Sequence, residues 1–214
     1  MVKNKPANKG NLSRRVRFPE DEKRIPWLPL LLDAYALADT GVAIAIRDEE
    51  KKRKQKLACG KGCGNCCEHQ KDLPLYPHEL VGIYWYVTEK LAPQLRDALK
   101  GRLVGHTPDA PCPFLIDGSC SIHPLRPIGC RQFNVFNVPC ALGEDPYYTR
   151  RDDVLAPIAD YTDRAFAAVA PFYSTKAEGD PAKVVRHIRS QIMNLQTVDW
   201  RKLAALIDKN PPAP

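Results

Sequence analysis

Eight cysteines are the residues of this 214-residue chain best suited to chemistry: Cys59, Cys63, Cys66, Cys67, Cys112, Cys120, Cys130 and Cys140. None lies before residue 59 or after residue 140. Thiols used only as small core hydrophobes would scatter along helices. These sit beside glycine and proline, as in Cys59-Gly-Lys-Gly-Cys63-Gly-Asn-Cys66-Cys67. Spacings of two and three residues let one chain wrap a soft metal and aim the intervening amides at the sulfurs. Glycine supplies the positive φ values that such wrapping needs. The pattern predicts a soft-metal site with all eight cysteines as ligands. Cys66 and Cys67 are adjacent, and neighbouring side chains on a looped backbone point apart, which suggests two sites. Cys59, Cys63 and Cys66 with one later cysteine would form the first. Cys67 with three later cysteines would form the second. A disulfide between Cys66 and Cys67 would be strained.

The residues leave the metal open. Four thiolates make a closed structural zinc site, and four also hold an iron–sulfur cluster, which the loop-wrapped spacing slightly favours. Cys59-x3-Cys63-x2-Cys66 equals the cluster spacing of radical-SAM enzymes, but those are built from repeated strand–helix units that this sequence lacks. Arg126 and Arg131 flank Cys130. They are the candidate cofactor-binding residues, able to offset thiolate charge or hold an anionic ligand through paired hydrogen bonds. His69 and His123 read as polar loop residues near the cysteines, and His78, His106 and His187 as structural. Glu68 and Asp117 read as surface residues. No phosphate-binding loop, nucleophile elbow or zinc-protease motif is present, so no catalytic residue is assigned.

The second cysteine run reads Cys112-Pro-Phe-Leu-Ile-Asp-Gly-Ser-Cys120-Ser-Ile-His-Pro-Leu-Arg126-Pro-Ile-Gly-Cys130-Arg131, followed by Cys140. Together with Cys59–Cys67 it resembles the YkgJ-type cysteine-cluster family, also written CxxCxxCC. All eight family cysteines have counterparts here, and the likeness covers the middle of the chain. His123 departs from the pattern, where the family more often carries an aromatic residue. The resemblance implies a zinc- or iron-chelating domain, with bacterial and cytoplasmic settings common. It carries over ligand roles and no reaction.

The elements that must position these thiols read as helices. Leu31, Ala34, Tyr35, Ala38, Val42, Ala45 and Ile46 share one face of a helix from Leu30, continued by the charged run 47–56. Pro77 stands like the first residue of a helix carrying Leu80, Ile83, Tyr84, Val87 and Leu91. Pro93 breaks or restarts it. Residues 105–150 read as irregular, with short extended pieces near Phe114 and at Phe133–Val138. Helices return at Pro157, at Asp180-Pro181 and after Thr197, and the Pro-rich end 211–214 cannot be helical. The predicted class is mainly α with little or no β. Helices from both flanks would enclose a loop-dominated centre at 59–140, in a single domain over residues 25–210. That centre is expected to have little apolar core of its own, so that metal would supply much of its folding energy.

Lys plus Arg exceed Asp plus Glu by 32 to 25, a net charge of +7. Residues 1–24 hold eight basic and three acidic side chains, and residues 47–56 hold six and three. The remainder is therefore 7 − 5 − 3 = −1. A disordered basic tail at 1–24 is expected, and it is the one candidate for contacting nucleic acid. The nearest apolar run, Leu30–Ile46, is interrupted by Asp33 and Asp39, and no secretory signal opens the chain. The expectation is a cytoplasmic protein without a membrane span and with no partner assigned. Two other function classes stand beside metal binding: an iron-dependent redox or methyl-transfer enzyme, and a zinc-braced interaction protein.

Overall fold

Twenty prolines would fragment a helical chain if they fell inside helices. Instead Pro19, Pro29, Pro77, Pro93, Pro146 and Pro181 each stand in a first helical turn. There the missing N–H would have had no intrahelical partner, and the fixed φ favours the helix. The computed structural model describes residues 15–60, 62–173 and 180–209. Its helices are α1 (Pro19–Arg24), α2 (Leu28–Arg53), α3 (Asn65–His69), α4 (Pro77–Glu89), α5 (Pro93–Gly105), α6 (Ile128–Gln132), α7 (Pro146–Thr149), α8 (Ala159–Ala168), α9 (Pro181–Ser190) and α10 (Arg201–Lys209). The described strands are only two residues each: β1 (Pro74–Leu75), β2 (Leu115–Ile116), β3 (Ser119–Cys120) and β4 (Met193–Asn194). β1 pairs antiparallel with β4, and β2 with β3. The protein is mainly α, and the parallel strand–helix units of a radical-SAM barrel are absent among the described residues.

One core forms around α2. Leu28, Leu31, Leu32, Ala34, Tyr35 and Ala38 are buried against Ala165, Phe166 and Val169 of the α8 region and Val184 and Ile188 of α9. Gly41 allows α8 to come close, since a Cβ there would meet Tyr161 Cβ at 2.5 Å. Asp180 caps α9 by accepting the Ala182 N–H at 3.0 Å. By length and composition α2 could cross a membrane. Its apolar face is instead packed inside the protein, and the two acidic residues within its apolar stretch meet arginines, Asp33 with Arg15 and Asp39 with Arg131.

A second core joins α4, α5 and α10. Leu75, Ile83, Val87, Leu99, Leu103, Phe114, Ile122, Trp200 and Leu203 are buried together. Much of this lies inside 59–140, so that segment does have an apolar core, contrary to expectation. α4 and α5 are amphipathic helices inserted between the two cysteine runs, and their buried faces supply it.

The expected disorder of residues 1–24 fails over 15–24; residues 1–14 lie outside the described residues, as do 210–214. α1 begins at Pro19 with three acidic residues in its first turn, where the helix dipole favours them. Phe18 packs edge-on to Trp85 at 5.1 Å, Arg15 pairs with Glu22 at 2.8 Å, and Lys90 pairs with Asp21 at 2.5 Å. Thr197 does not cap α10. It closes a short 3-10 turn, and Asp199 accepts the Arg201 N–H at 3.3 Å instead.

Candidate metal centre

Four pieces of chain bring the cysteines together. The Cys59–Cys67 loop runs into α3, which carries Cys66 and Cys67. The β2–β3 hairpin turns at Asp117-Gly118, both with positive φ (48° and 71°), and presents Cys120. That is the Asp-Gly two-residue turn whose twist suits a hairpin. α6 carries Cys130. Residues 135–140 lie against the first loop, with Ala58 N–H donating to Val135 O at 2.8 Å and Leu57 bridging Phe136. Asn65 Nδ2 donates to Cys140 O at 2.9 Å, and the Cys112 N–H donates to Cys67 O at 2.7 Å. At Gly64 a Cβ would stand 2.5 Å from Gly118 O, so loop and hairpin touch through glycine.

All eight cysteines line one cavity of about 530 Å³. All eight are free thiols. Cys112 is buried, Cys63 is exposed at the mouth, and the rest are half-buried. Among the described residues no three His, Cys, Asp or Glu side chains are already gathered around one point as a metal site. The thiols stand on the cavity wall rather than at a common centre.

Their electrostatics link them across the cavity, with Cys66 acting on Cys59 as well as on Cys120 and Cys130. Cys59 is influenced by Cys63 and Cys66, and Cys140 by Cys59 and Cys63. Cys67 shares hydrogen bonds with Cys112 and Cys66 and is influenced by Cys120. Cys130 is influenced by Cys120, Cys67 and Cys66. The hydrogen bond to Cys112 leads in pushing Cys67 up to about 12. The hydrogen bond to Cys67, then burial, holds Cys66 far above the ordinary thiol range. Burial likewise raises Cys59, Cys120, Cys130 and Cys140. Without a cation the affected thiols stay protonated, so a metal must displace protons to bind them.

Several features fit such a cation–thiolate group. The Val135 N–H donates to Cys59 Sγ at 3.2 Å, the kind of amide-to-sulfur bond that stabilises thiolate. Arg126 lines the cavity, and its charge opposes the rise at Cys59, Cys66, Cys120 and Cys130. Its Nε is buried without a hydrogen-bond partner. An unpaired buried guanidinium N–H is costly, and an anionic group in the cavity would satisfy it.

Arg131 has a different place from the one its sequence position suggests. It is 4% exposed. Its Nε donates to Arg126 O at 2.8 Å, and its two terminal nitrogens to Asp39 at 2.6 Å and Pro124 O at 2.6 Å. Its guanidinium also lies 4.1 Å over the Tyr35 ring. It braces the 124–131 turn from behind and is not a cavity-lining residue, since every face of the guanidinium is engaged. His123 lies on the exposed rim of the cavity. His69 Nε2 accepts the Gly143 N–H at 2.9 Å, which fixes the loop after Cys140. His78 is buried beside Tyr173 (2.6 Å), away from the thiols, and His106 meets Gln196 O at 3.0 Å. Glu68 and Asp117 are exposed.

Sequence reasoning missed Glu79. It is fully buried, accepting the Ile128 N–H at 2.6 Å and the Tyr76 N–H at 3.0 Å. It thereby ties the start of α6, two residues before Cys130, to the start of α4. A Glu two residues after Pro77 hinted at a cap for α4, but its bond to Ile128 spans 49 residues and leaves no local signature.

Residues 58–154 match the model of the CxxCxxCC family, described as a zinc- or iron-chelating domain. No curated protein and no solved structure matches the chain.

Proposed function

We propose that this chain, whose residues 58–154 match the CxxCxxCC family model, is a cytoplasmic metal-binding protein holding iron, as an iron–sulfur cluster, between its eight cysteines. The observation that carries the reading is the convergence of all eight on one cavity of about 530 Å³. A zinc ion held by four sulfurs at about 2.3 Å needs them roughly 4 Å from one another. A cluster with its inorganic sulfides is bulkier and takes the same thiolate ligands. Cys59, Cys63, Cys66 and Cys140 would form one ligand group, and Cys67, Cys112, Cys120 and Cys130 the other. Cys140 is the later cysteine that completes the first group. Arg126 offsets the thiolate charge. Bound iron would supply electron transfer or Lewis acidity.

The cavity also supports a second reading, an iron-dependent redox or methyl-transfer enzyme. Arg126 Nε, buried and unpartnered, is placed to orient an anionic substrate beside the thiols.

Serine substitutions test the ligand division. Cys140→Ser and Cys112→Ser should each lower bound metal to about half that of the parent protein, because one four-thiolate group survives in each. Unchanged metal in either variant, measured by elemental analysis, would overturn the division.

A further inference from the structure

The rim of the thiol cavity carries two features that metal binding does not use. The first is apolar. Val138, Leu142, Tyr147 and Tyr148 are all exposed, Leu142 to 94%. They fall within one stretch that includes Cys140. Arg150 gathers this stretch, donating to Val138 O at 2.9 Å and pairing with Glu144 at 2.7 Å. The second is cationic. Lys51, Lys54 and Lys56 are exposed. Among the described residues their ammonium groups have no carboxylate partner; the nearby Glu49 is taken by Lys52 and Arg53. The two features adjoin, because the Asn137 N–H donates to Lys56 O at 3.3 Å and so sets Lys56 beside Val138. The cavity opens next to them, at exposed Gly60, Gly62 and Cys63.

Exposed apolar side chains within a polar rim mark contact surfaces. Unpaired lysines around them select an acidic partner and speed its approach. The juxtaposition of Lys54 and Lys56 with Val138 and Leu142 at the cavity mouth points to a protein. The aliphatic pair offers nothing to a nucleic acid, the Tyr147 ring is already stacked with the Arg151 guanidinium and the Tyr148 hydroxyl is held by Asp72, and a lipid surface over the mouth would give the thiols nothing to exchange with. Residues 1–14 carry Lys3, Lys5, Lys9 and Arg14 and no acidic residue, so their charge does not complement these lysines.

We propose that this rim is the docking surface for a small acidic electron-carrier protein. The proposal rests on the iron reading for the choice of carrier, but its binding test does not.

The probe is a purified plant-type [2Fe–2S] ferredoxin, titrated calorimetrically into the full-length chain. Binding is expected at low ionic strength and should weaken about tenfold or more in high salt. Leu142→Asp and the double variant Lys54→Glu/Lys56→Glu should each weaken it by about tenfold, with metal content unchanged. Single-stranded RNA and anionic phospholipid vesicles serve as comparison probes. The proposal is overturned by no ferredoxin binding, by binding that both variants leave intact, or by variant-sensitive binding to RNA or vesicles instead. A chain that purifies without metal contradicts the iron reading, while its ferredoxin titration still decides the docking surface.

Discussion

Glu79 and Arg131 are buried ionisable residues that hold the thiol-bearing turn, Glu79 from α4 at the start of α6 and Arg131 from within α6. Glu79 holds the α6 N-terminus through Ile128, and Arg131 holds the preceding turn through Pro124 O and Arg126 O. Between them they set where Cys130 and Arg126 face. Burial leads in raising the Glu79 carboxyl from 4.5 to about 7, against the two amide bonds and the Arg131 charge. The folded protein then holds this proton more tightly than the unfolded chain does. The associated stability is full below about pH 4.5 and is lost as pH rises through about 7, on the order of 3 kcal/mol in all. His78 acts with the opposite sign. Burial penalises its charged form and lowers it to about 3, so the folded protein loses stability as pH falls below 6.5. In metal-free protein, Glu79→Gln should flatten the loss of stability between about pH 5 and pH 7 in denaturant titrations. A slope equal to the parent's would mean that Glu79 is ionised throughout. Of these residues the sequence marked Arg131 by its place beside Cys130, but not the direction it faces. That direction depends on Asp39 and Tyr35, from a helix far away in the chain.

At the scale of elements, loop and hairpin meet only because two glycines allow it. Gly64→Ala would drive a Cβ against the Gly118 carbonyl, which is backbone and cannot rotate away. The expected cost is about 1–3 kcal/mol, together with faster metal loss to a chelator, followed by absorbance. Unchanged stability and metal retention would show that the hairpin does not need this contact. The helices were the legible elements. Pro77, Pro93 and Asp180-Pro181 stand at helix starts, and the apolar faces of α2, α4 and α9 repeat with helical period. The hairpin was less so, because two-residue strands are too short to show alternation, although Asp117-Gly118 carries a turn signal. α1 was hidden by its charge, since its order comes from Phe18 on Trp85 and from ion pairs to distant residues.

At the scale of the molecule, the cysteine centre rests on a core rather than replacing one. Phe114 packs on Trp200 with ring centroids 4.8 Å apart, and Ile122, Leu99 and Leu203 are buried with them. Chelation of bound metal should therefore lower the melting temperature while the far-ultraviolet helical signal persists at room temperature. Loss of that signal on chelation would mean that metal holds up the whole fold, as in a zinc finger. That the eight cysteines belong to one constellation was legible from their types and glycine spacing. That they would surround one cavity was not, since Cys59 and Cys140 meet through Leu57 and Phe136, across a separation that no local pattern records.

The central claim is that these eight thiols hold iron with inorganic sulfide. Iron, zinc and acid-labile sulfide should be measured on the full-length protein purified without oxygen, alongside its visible absorption spectrum. The account predicts a brown protein containing iron and sulfide in similar amounts, with thiolate-to-iron charge-transfer absorption. A colourless protein with stoichiometric zinc, or one with no metal, would contradict it.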